Sequence, residues 1–505
     1  MPRALENRFK RINPTRALAW ACALLLLFTT LPLYGIAFYN HPYYDDFTFS
    51  HAVHQAWQQS HSLVQVLRAA VSSSLEVRNL WQGTYTGTFL SNLQPGVFSE
   101  NLYWLTTFVL LTSYLLCFGF FLKTVFRDVL KAGAAETVII VSLYLFVTVQ
   151  LMPSVGEAFY WFNGGIGNIF IYSLLALTLA LMIRLAKAGR GAPWLMVALV
   201  MLTALLGGGS FGGGLYSLLI FGVAAAFAVA RKHRYRFAYI GLLVWLLVCF
   251  LYSVSAPGNG VRASFFAAPP PAPVAVLKSV YYGVALIGGY FTLPVAAIAL
   301  GLAPLLYRLA ANSRFSFRYP VPVFAAGVLL FCAQLTPPLY AGVFLGGDRT
   351  VDTYYVTFVM MLLLYETYLL GWVARRREQM NKKPLALAEG AQRGLLIACA
   401  CLLTVGCLGY KQPGDTLYGP MNMAGGSAAL SIASGEAKVY DREMQAREAL
   451  LNDAQKPVIT LKPLTAVPRV FMEDLLRPDA QYNVLPVLCR YYGKTEIMLQ
   501  GGDAP

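Results

Sequence analysis

Stretches of about 20 apolar residues recur from Ala17 to Tyr410, each long enough to carry a helix across the hydrocarbon core of a bilayer. Nothing else in the chain restricts its fold as strongly, because a backbone in lipid must satisfy its own hydrogen bonds, which leaves helix bundles and closed barrels. Barrel strands need only about 10 residues of alternating character, and these runs are continuous. Composition agrees: 57% of the 505 residues are hydrophobic and 12% are charged, about half the charged share of a soluble domain. The expected fold is an all-α polytopic membrane protein of about 11 transmembrane helices. The spans fall near 17–38, 101–122, 135–152, 165–183, 193–208, 213–230, 237–255, 281–306, 320–340, 353–373 and 392–410.

The 39 Lys and Arg outnumber the 24 acids, yet their placement explains the excess without nucleic acid. With the N-terminus in the cytoplasm, connections on that side hold 24 basic residues, the opposite loops five and the tail after Tyr410 ten. The five are Arg68, Arg78, Arg262, Lys278 and Arg349. The positive-inside rule then sets the N-terminus in the cytoplasm and the C-terminus in the periplasm of a bacterial inner membrane. The first apolar run is too long for a signal peptide and lacks a convincing small-residue cleavage site, so it reads as a retained helix. Seven of the eight cysteines fall inside predicted spans, which gives no disulfide framework, and the pair Cys399 and Cys401 reads as core filling.

Two large segments lie on the outer side, the first loop at 39–100 and the tail at 411–505, so the chain divides into a transmembrane domain 1–410 and a C-terminal periplasmic domain. In the first loop Val53, Ala56, Trp57, Val64, Leu67, Ala70 and Val71 recur at helical spacing among polar residues, the pattern of interfacial helices. Pro269 to Pro273 is expected to run as an extended strap. The tail reads as a small α/β region, with a helix over Val439–Leu450 and a strand over Pro457–Leu461. It either holds its own core or docks on the membrane part. The glycine-rich segment Gly207–Gly214 lacks the lysine of a nucleotide-binding loop and reads as a tight outer turn.

Tyr43-Tyr44-Asp45-Asp46-Phe47 follows the first helix directly, and two adjacent carboxylates among aromatics beside a membrane are costly unless used. The same residues also suit an interfacial loop in which Asp46 caps the next helix. Glu157 stands in a second outer loop that continues through Trp161. Arg262, in the turn Ala256–Arg262 with Asn259, and Arg349, after Gly346-Gly347-Asp348, are scarce outer cations able to hold a phosphate. Each could instead pair with Asp348, Asp352 or a lipid headgroup. His41, His51, His54 and His61 crowd the first loop; at helical spacing among Gln and Ser they read as a solvated surface rather than a metal site.

An acidic pair directly after the first helix resembles the GT-C superfamily of integral membrane glycosyltransferases. The series Tyr44-Asp45-Asp46-Phe47, Trp81-Gln82-Gly83-Thr84-Tyr85, Phe159-Tyr160-Trp161 and Ala256–Arg262, with Tyr440-Asp441-Arg442 and Tyr491-Tyr492-Gly493, is similar to a bacterial family of GT-C-type membrane proteins. The resemblance implies inverting transfer of a sugar from a polyprenyl-phosphate donor to an acceptor hydroxyl on a glycolipid, polysaccharide or protein. It implies Asp45 or Asp46 as general base, and Glu157 with Tyr44 and Trp161 at an acceptor or metal site. Arg262, Arg349 and Asn259 would meet the donor phosphate. A divalent cation, magnesium or manganese, is an open question; Asp45 and Glu157 would hold it. Gln82-Gly83-Thr84 departs from the family pattern, which has a basic residue after the glycine, a contact that Arg78 could supply. The competing classes are a transporter, which few intramembrane charges and no inverted repeat support, and a glycan polymerase or ligase.

Overall fold

The computed structural model describes residues 13–188, 192–266, 268–385, 389–411, 419–476 and 483–500. The chain is a multi-pass helical membrane protein. Among the described residues nine helices are long and apolar enough to cross a bilayer, and three shorter apolar helices span 134–150, 193–207 and 320–333. The first helix, α1 (Pro14–Ile36), starts where its chemistry dictates: Asn13 Oδ1 accepts from Thr15 N at 3.0 Å and Pro14 supplies a preset first turn.

The first loop folds into α2 (Asp45–Ser60), α3 (Leu63–Leu80) and the short α4 (Tyr85–Ser91). On α3, Val66, Ala70 and Ser74 are buried while Leu63, Val64, Leu67, Val71 and Leu75 remain exposed. That apolar stripe suits a helix lying on lipid, because water would leave its area uncompensated.

The bundle continues with α5 (Leu105–Lys123), α6 (Ala134–Gln150), α7 (Ile169–Lys187), α8 (Pro193–Gly207), α9 (Phe211–Ala230) and α10 (Arg236–Val254). The turn between α8 and α9 is tight: a Cβ on Gly208 would lie 2.4 Å from the Tyr85 ring. After the one-and-a-half-turn α11 (Gly258–Ala263) come α12 (Ala272–Tyr290), α13 (Leu293–Asn312), α14 (Pro320–Ala333), α15 (Asp348–Gln379) and α16 (Glu389–Leu408).

Two expectations fail in this region. The single span over 281–306 is two helices that meet at Phe291-Thr292, because Gly288-Gly289 weakens the first and Pro294 starts the second. Tyr290, at the end of α12, donates its hydroxyl to the Val351 carbonyl near the start of α15 at 3.2 Å. Helix α13 then runs to an ion pair between Arg308 and Glu136. The extended strap is also shorter than expected, since α12 begins at Ala272 with Pro273 in its first turn, where a missing N–H costs nothing.

One end of the bundle is basic. There Arg184 meets Asp128 at 3.4 Å, Arg308 meets Glu136, and Arg375 donates to the Ser313 carbonyl. The opposite end, the loop end, carries the first loop and the tail. The tail comprises α17 (Ala424–Ser434), α18 (Glu436–Asn452), β1 (Val458–Leu461), α19 (Leu485–Tyr492) and β2 (Glu496–Leu499), with β1 and β2 parallel and Val458 opposite Glu496. Arg447 and Asp474, both over nine-tenths buried, form a two-pronged ion pair at 2.9 and 2.8 Å. The tail docks: Leu475, Leu476, Leu488 and Tyr491 share one core with Phe47 and pack on Tyr43 and Tyr44 of the first loop.

Docking also corrects the histidines. His41 is 7% exposed and His54 stacks on Tyr491 at 4.3 Å between ring centroids. For His41, His51 and His54 the expected solvated surface is a contact face with the tail, some 400 residues away in sequence, while His61 stays exposed as expected.

Candidate functional site

Asp45 and Asp46 open the first turn of α2, after a backbone forced into an unusual shape: Tyr44, the N-cap, has φ +28°. A bulky residue at positive φ is strained, and surrounding contacts must hold it. Tyr43 and Tyr44 are held by the tail core.

The two aspartates have opposite environments. Asp46 is fully buried and its carboxylate accepts four hydrogen bonds. Tyr43 N reaches Oδ2 at 3.0 Å, the Tyr103 hydroxyl donates to the same oxygen, and Asn163 donates to Oδ1 from its backbone at 3.1 Å and its side chain at 2.9 Å. Burial pushes this carboxyl up to about 6, against the pull of those donors, Tyr103 foremost. Asp46 thus ties α2 to the ends of α5 and of the loop before α7. Asp46 is not the expected cap: Tyr44 holds the N-cap position, and Asp46, the second residue of α2, reaches back to Tyr43 N outside the helix.

Asp45 is half-buried, and no hydrogen bond to its carboxylate forms among the described residues. Burial raises its carboxyl above the ordinary range, while Arg349 and then Arg262 pull it back. Charge is all that its neighbours offer it.

Those neighbours come from three other loops. Glu157 sits on a single π-helical turn, Gly156–Tyr160, and its Oε2 accepts the Arg349 backbone N–H at 2.7 Å, with the guanidinium at 4.0 Å. Burial raises the Glu157 carboxyl and Arg349 lowers it. The Arg349 guanidinium also lies over the Trp161 ring at 4.9 Å, and Trp161 packs edge-on to Tyr43 at 5.4 Å. Trp161 is 4% exposed and its Nε1–H finds no partner among the described residues.

Arg262 donates to Gln82 and stacks 5.5 Å over Trp81. Burial and the like charge of Arg349 hold its guanidinium below its ordinary value, with Asp45 opposing. Two motifs separated by some 180 residues therefore form one unit, and Gly83 is its closest point: a Cβ there would lie 1.9 Å from the Ser253 carbonyl oxygen.

Asn259 makes that junction rather than facing a ligand. Its Oδ1 accepts from Gly83 N at 2.9 Å and its Nδ2 donates to the Ser253 and Val254 carbonyls, both at 2.9 Å. Arg78, the substitute for the missing basic residue, is occupied too, lying 4.2 Å over the Tyr252 ring and donating to the Tyr252 carbonyl at 3.2 Å. Gln82 takes up Arg262, and the position after Gly83, where a basic residue was expected, is Thr84.

A cavity of about 290 Å³ opens beside Glu157, lined also by Ser154, Asp348, Asn422, Arg469 and Glu473. Half its wall is tail, so the tail is part of the site region. Asp45 is outside that lining. Asp352, fully buried on α15, accepts from Ser154 N at 2.7 Å through Oδ1 while Oδ2 has no partner among the described residues. The four-residue spacing of Asp348 and Asp352 on one helix face was the available signal for it. Tyr103 and Asn163 gave no signal, being neutral polar residues of ordinary interfacial type.

Asp45 and Glu157 do not suit a shared divalent cation. Glu157 spends Oε2 on Arg349, and two guanidinium groups already act on Asp45, so a dication would meet two positive charges. Comparison with protein-family models, with curated proteins and with solved structures gives no match.

Proposed function

We propose that the protein is a membrane glycosyltransferase of GT-C type, moving a sugar from a polyprenyl-phosphate donor to an acceptor hydroxyl at the loop end, on the periplasmic side of a bacterial inner membrane. One arrangement carries this reading: Arg262, over Trp81, and Arg349, over Trp161, come from separate loops and both bear on Asp45, with Arg349 acting on Arg262 as a like charge. Two partly buried guanidinium groups held against mutual repulsion suit an anion larger than one carboxylate, and a phosphate fits their donor geometry.

Asp45 is the base. Its carboxylate, unencumbered by hydrogen bonds and raised by burial, takes the proton of the acceptor hydroxyl. The hydroxyl oxygen attacks the anomeric carbon from the face opposite the lipid phosphate. The bond from that carbon to the phosphate oxygen breaks, and its electron pair leaves with polyprenyl phosphate, whose charge the two arginines neutralise. Asp46 is a positioning residue, since its four accepted bonds fix the helix turn that presents Asp45. Glu157 holds Arg349 in place through the backbone N–H.

The decisive experiment incubates purified protein with a polyprenyl-phosphate sugar and an acceptor glycan, comparing wild type with Asp45→Asn. Covalent product from the wild type and none from the variant supports the reading. Substrate counterflow in proteoliposomes without covalent product would replace it with a carrier.

A further inference from the structure

His41 lies four residues before Asp45, at the joint where the chain leaving α1 meets the tail. Its Nε2 is 2.9 Å from Asp441 Oδ1, on α18, and its Nδ1 is buried with no hydrogen-bond partner among the described residues. With Nε2–H donated to the carboxylate, Nδ1 carries a lone pair. A buried acceptor left unpaired is costly, so something should meet it.

Two acids lie beside the ring. A ring nitrogen of His41, one carboxylate oxygen of Glu100 and one of Glu448 all lie within 4.8 Å of one another. Glu100 also accepts the Tyr492 hydroxyl, which orients it from the tail side. Two half-buried carboxylates beside an imidazole repel each other, and among the described residues only Glu100 has a protein donor, the Tyr492 hydroxyl. A divalent cation can bond to all three groups at once.

The donor set selects the ion. One imidazole and two carboxylates suit zinc, whereas magnesium prefers oxygen ligands and water. Zinc bonds of about 2.0–2.2 Å in a tetrahedron place ligand atoms about 3.3 Å apart, so modest side-chain closure from 4.8 Å completes the site. Asp441 behind the imidazole reproduces the carboxylate–histidine–metal relay that fixes ring orientation and raises ligand basicity.

We propose that His41, Glu100 and Glu448 bind one zinc ion that clasps the C-terminal region onto the first loop. The ligands come from three distant segments, so the ion bonds only the docked arrangement, and binding is linked to docking. The clasp fixes the chain four residues before Asp45 while the tail core fixes Tyr43 and Tyr44 after it. It stands independently of the sugar-transfer reading.

The test uses full-length protein in detergent, stripped with chelator and titrated with zinc alone. Elemental analysis of monodisperse fractions should give about one zinc per chain. Asp441→Asn, which leaves every ligand in place, should weaken binding about 10–100-fold. His41→Gln and Glu448→Gln should abolish stoichiometric binding, and Asp45→Asn should keep it. Limited proteolysis of the tail should slow about 100-fold at a zinc concentration 100 times Kd, because only the docked state binds. Wild-type protein that takes up no zinc, or zinc that survives both His41→Gln and Glu448→Gln, would overturn the site.

Discussion

Replacing each aspartate of the pair by asparagine separates a base from a brace, because the two differ in what they already hold. Asp45→Asn removes a charge but no hydrogen bond, and burial disfavours that charge. The variant should therefore melt no lower than wild type. Its transfer rate should fall by about 10²–10⁴, the usual contribution of a general base, or about 3–5 kcal/mol of barrier.

Asp46→Asn exchanges one accepting oxygen for a donor in a fully buried site with four incoming donors. Two of them lose their acceptor at about 1–3 kcal/mol each. Against this, the variant no longer buries a charge. The rise of that carboxyl from 3.8 to about 6 corresponds to about 3 kcal/mol. The net loss is small, but its pH dependence is diagnostic. Native Asp46 binds its proton more tightly than the unfolded chain does, so this stabilisation is complete below about pH 4 and disappears as pH rises through about 6. Wild type should lose about 3 kcal/mol across that window through this group, and Asp46→Asn should not. Thermal melting in detergent from pH 4 to 7, with single-turnover transfer at pH 7, reads both effects. An inactive Asp46→Asn with the wild-type melting profile, beside an active Asp45→Asn, would exchange the roles and refute assignment by hydrogen-bond saturation.

Arg349→Lys should raise KM for the donor about tenfold or more, because an ammonium loses the fork that meets phosphate and the contact over Trp161; steady-state kinetics against donor concentration checks it. Gly83→Ala should cost about 1–3 kcal/mol or more, since its Cβ would meet the Ser253 carbonyl oxygen at 1.9 Å, and backbone cannot give way as a side chain does. Its measure is a lowered melting temperature with the Arg262 loop displaced. Arg447→Met should destabilise the tail by about 3–5 kcal/mol by leaving Asp474 buried without its partner. Adding Asp474→Leu should recover much of the loss, read as protease resistance of the tail.

The helical class, the apolar stripe of the first loop and the strand at 458–461 were legible because each follows from local periodicity. The break at Phe291-Thr292 was not: hydropathy runs through it unbroken, and only Gly288-Gly289 with Pro294 marks the joint. The candidate site was half legible for a related reason. Charged residues scarce on one face draw the eye to Asp45, Glu157, Arg262 and Arg349, and the fold brings Arg349 to Glu157 and both arginines to bear on Asp45.

Which aspartate stays free to act is decided by residues that carry no charge. Tyr103 and Asn163 lie 57 and 117 positions from Asp46 and saturate it. Adjacent residues on a helix point about 100° apart, so saturating one leaves its neighbour facing elsewhere. The same argument applies to Asn259, a natural phosphate donor by type, whose amide is consumed by three backbone groups. A polar side chain is available for chemistry in proportion to the bonding capacity the fold leaves unspent. By that measure Asp45, Trp161 Nε1, Asp352 Oδ2 and His41 Nδ1 are among the described groups at this end of the bundle that keep capacity to give.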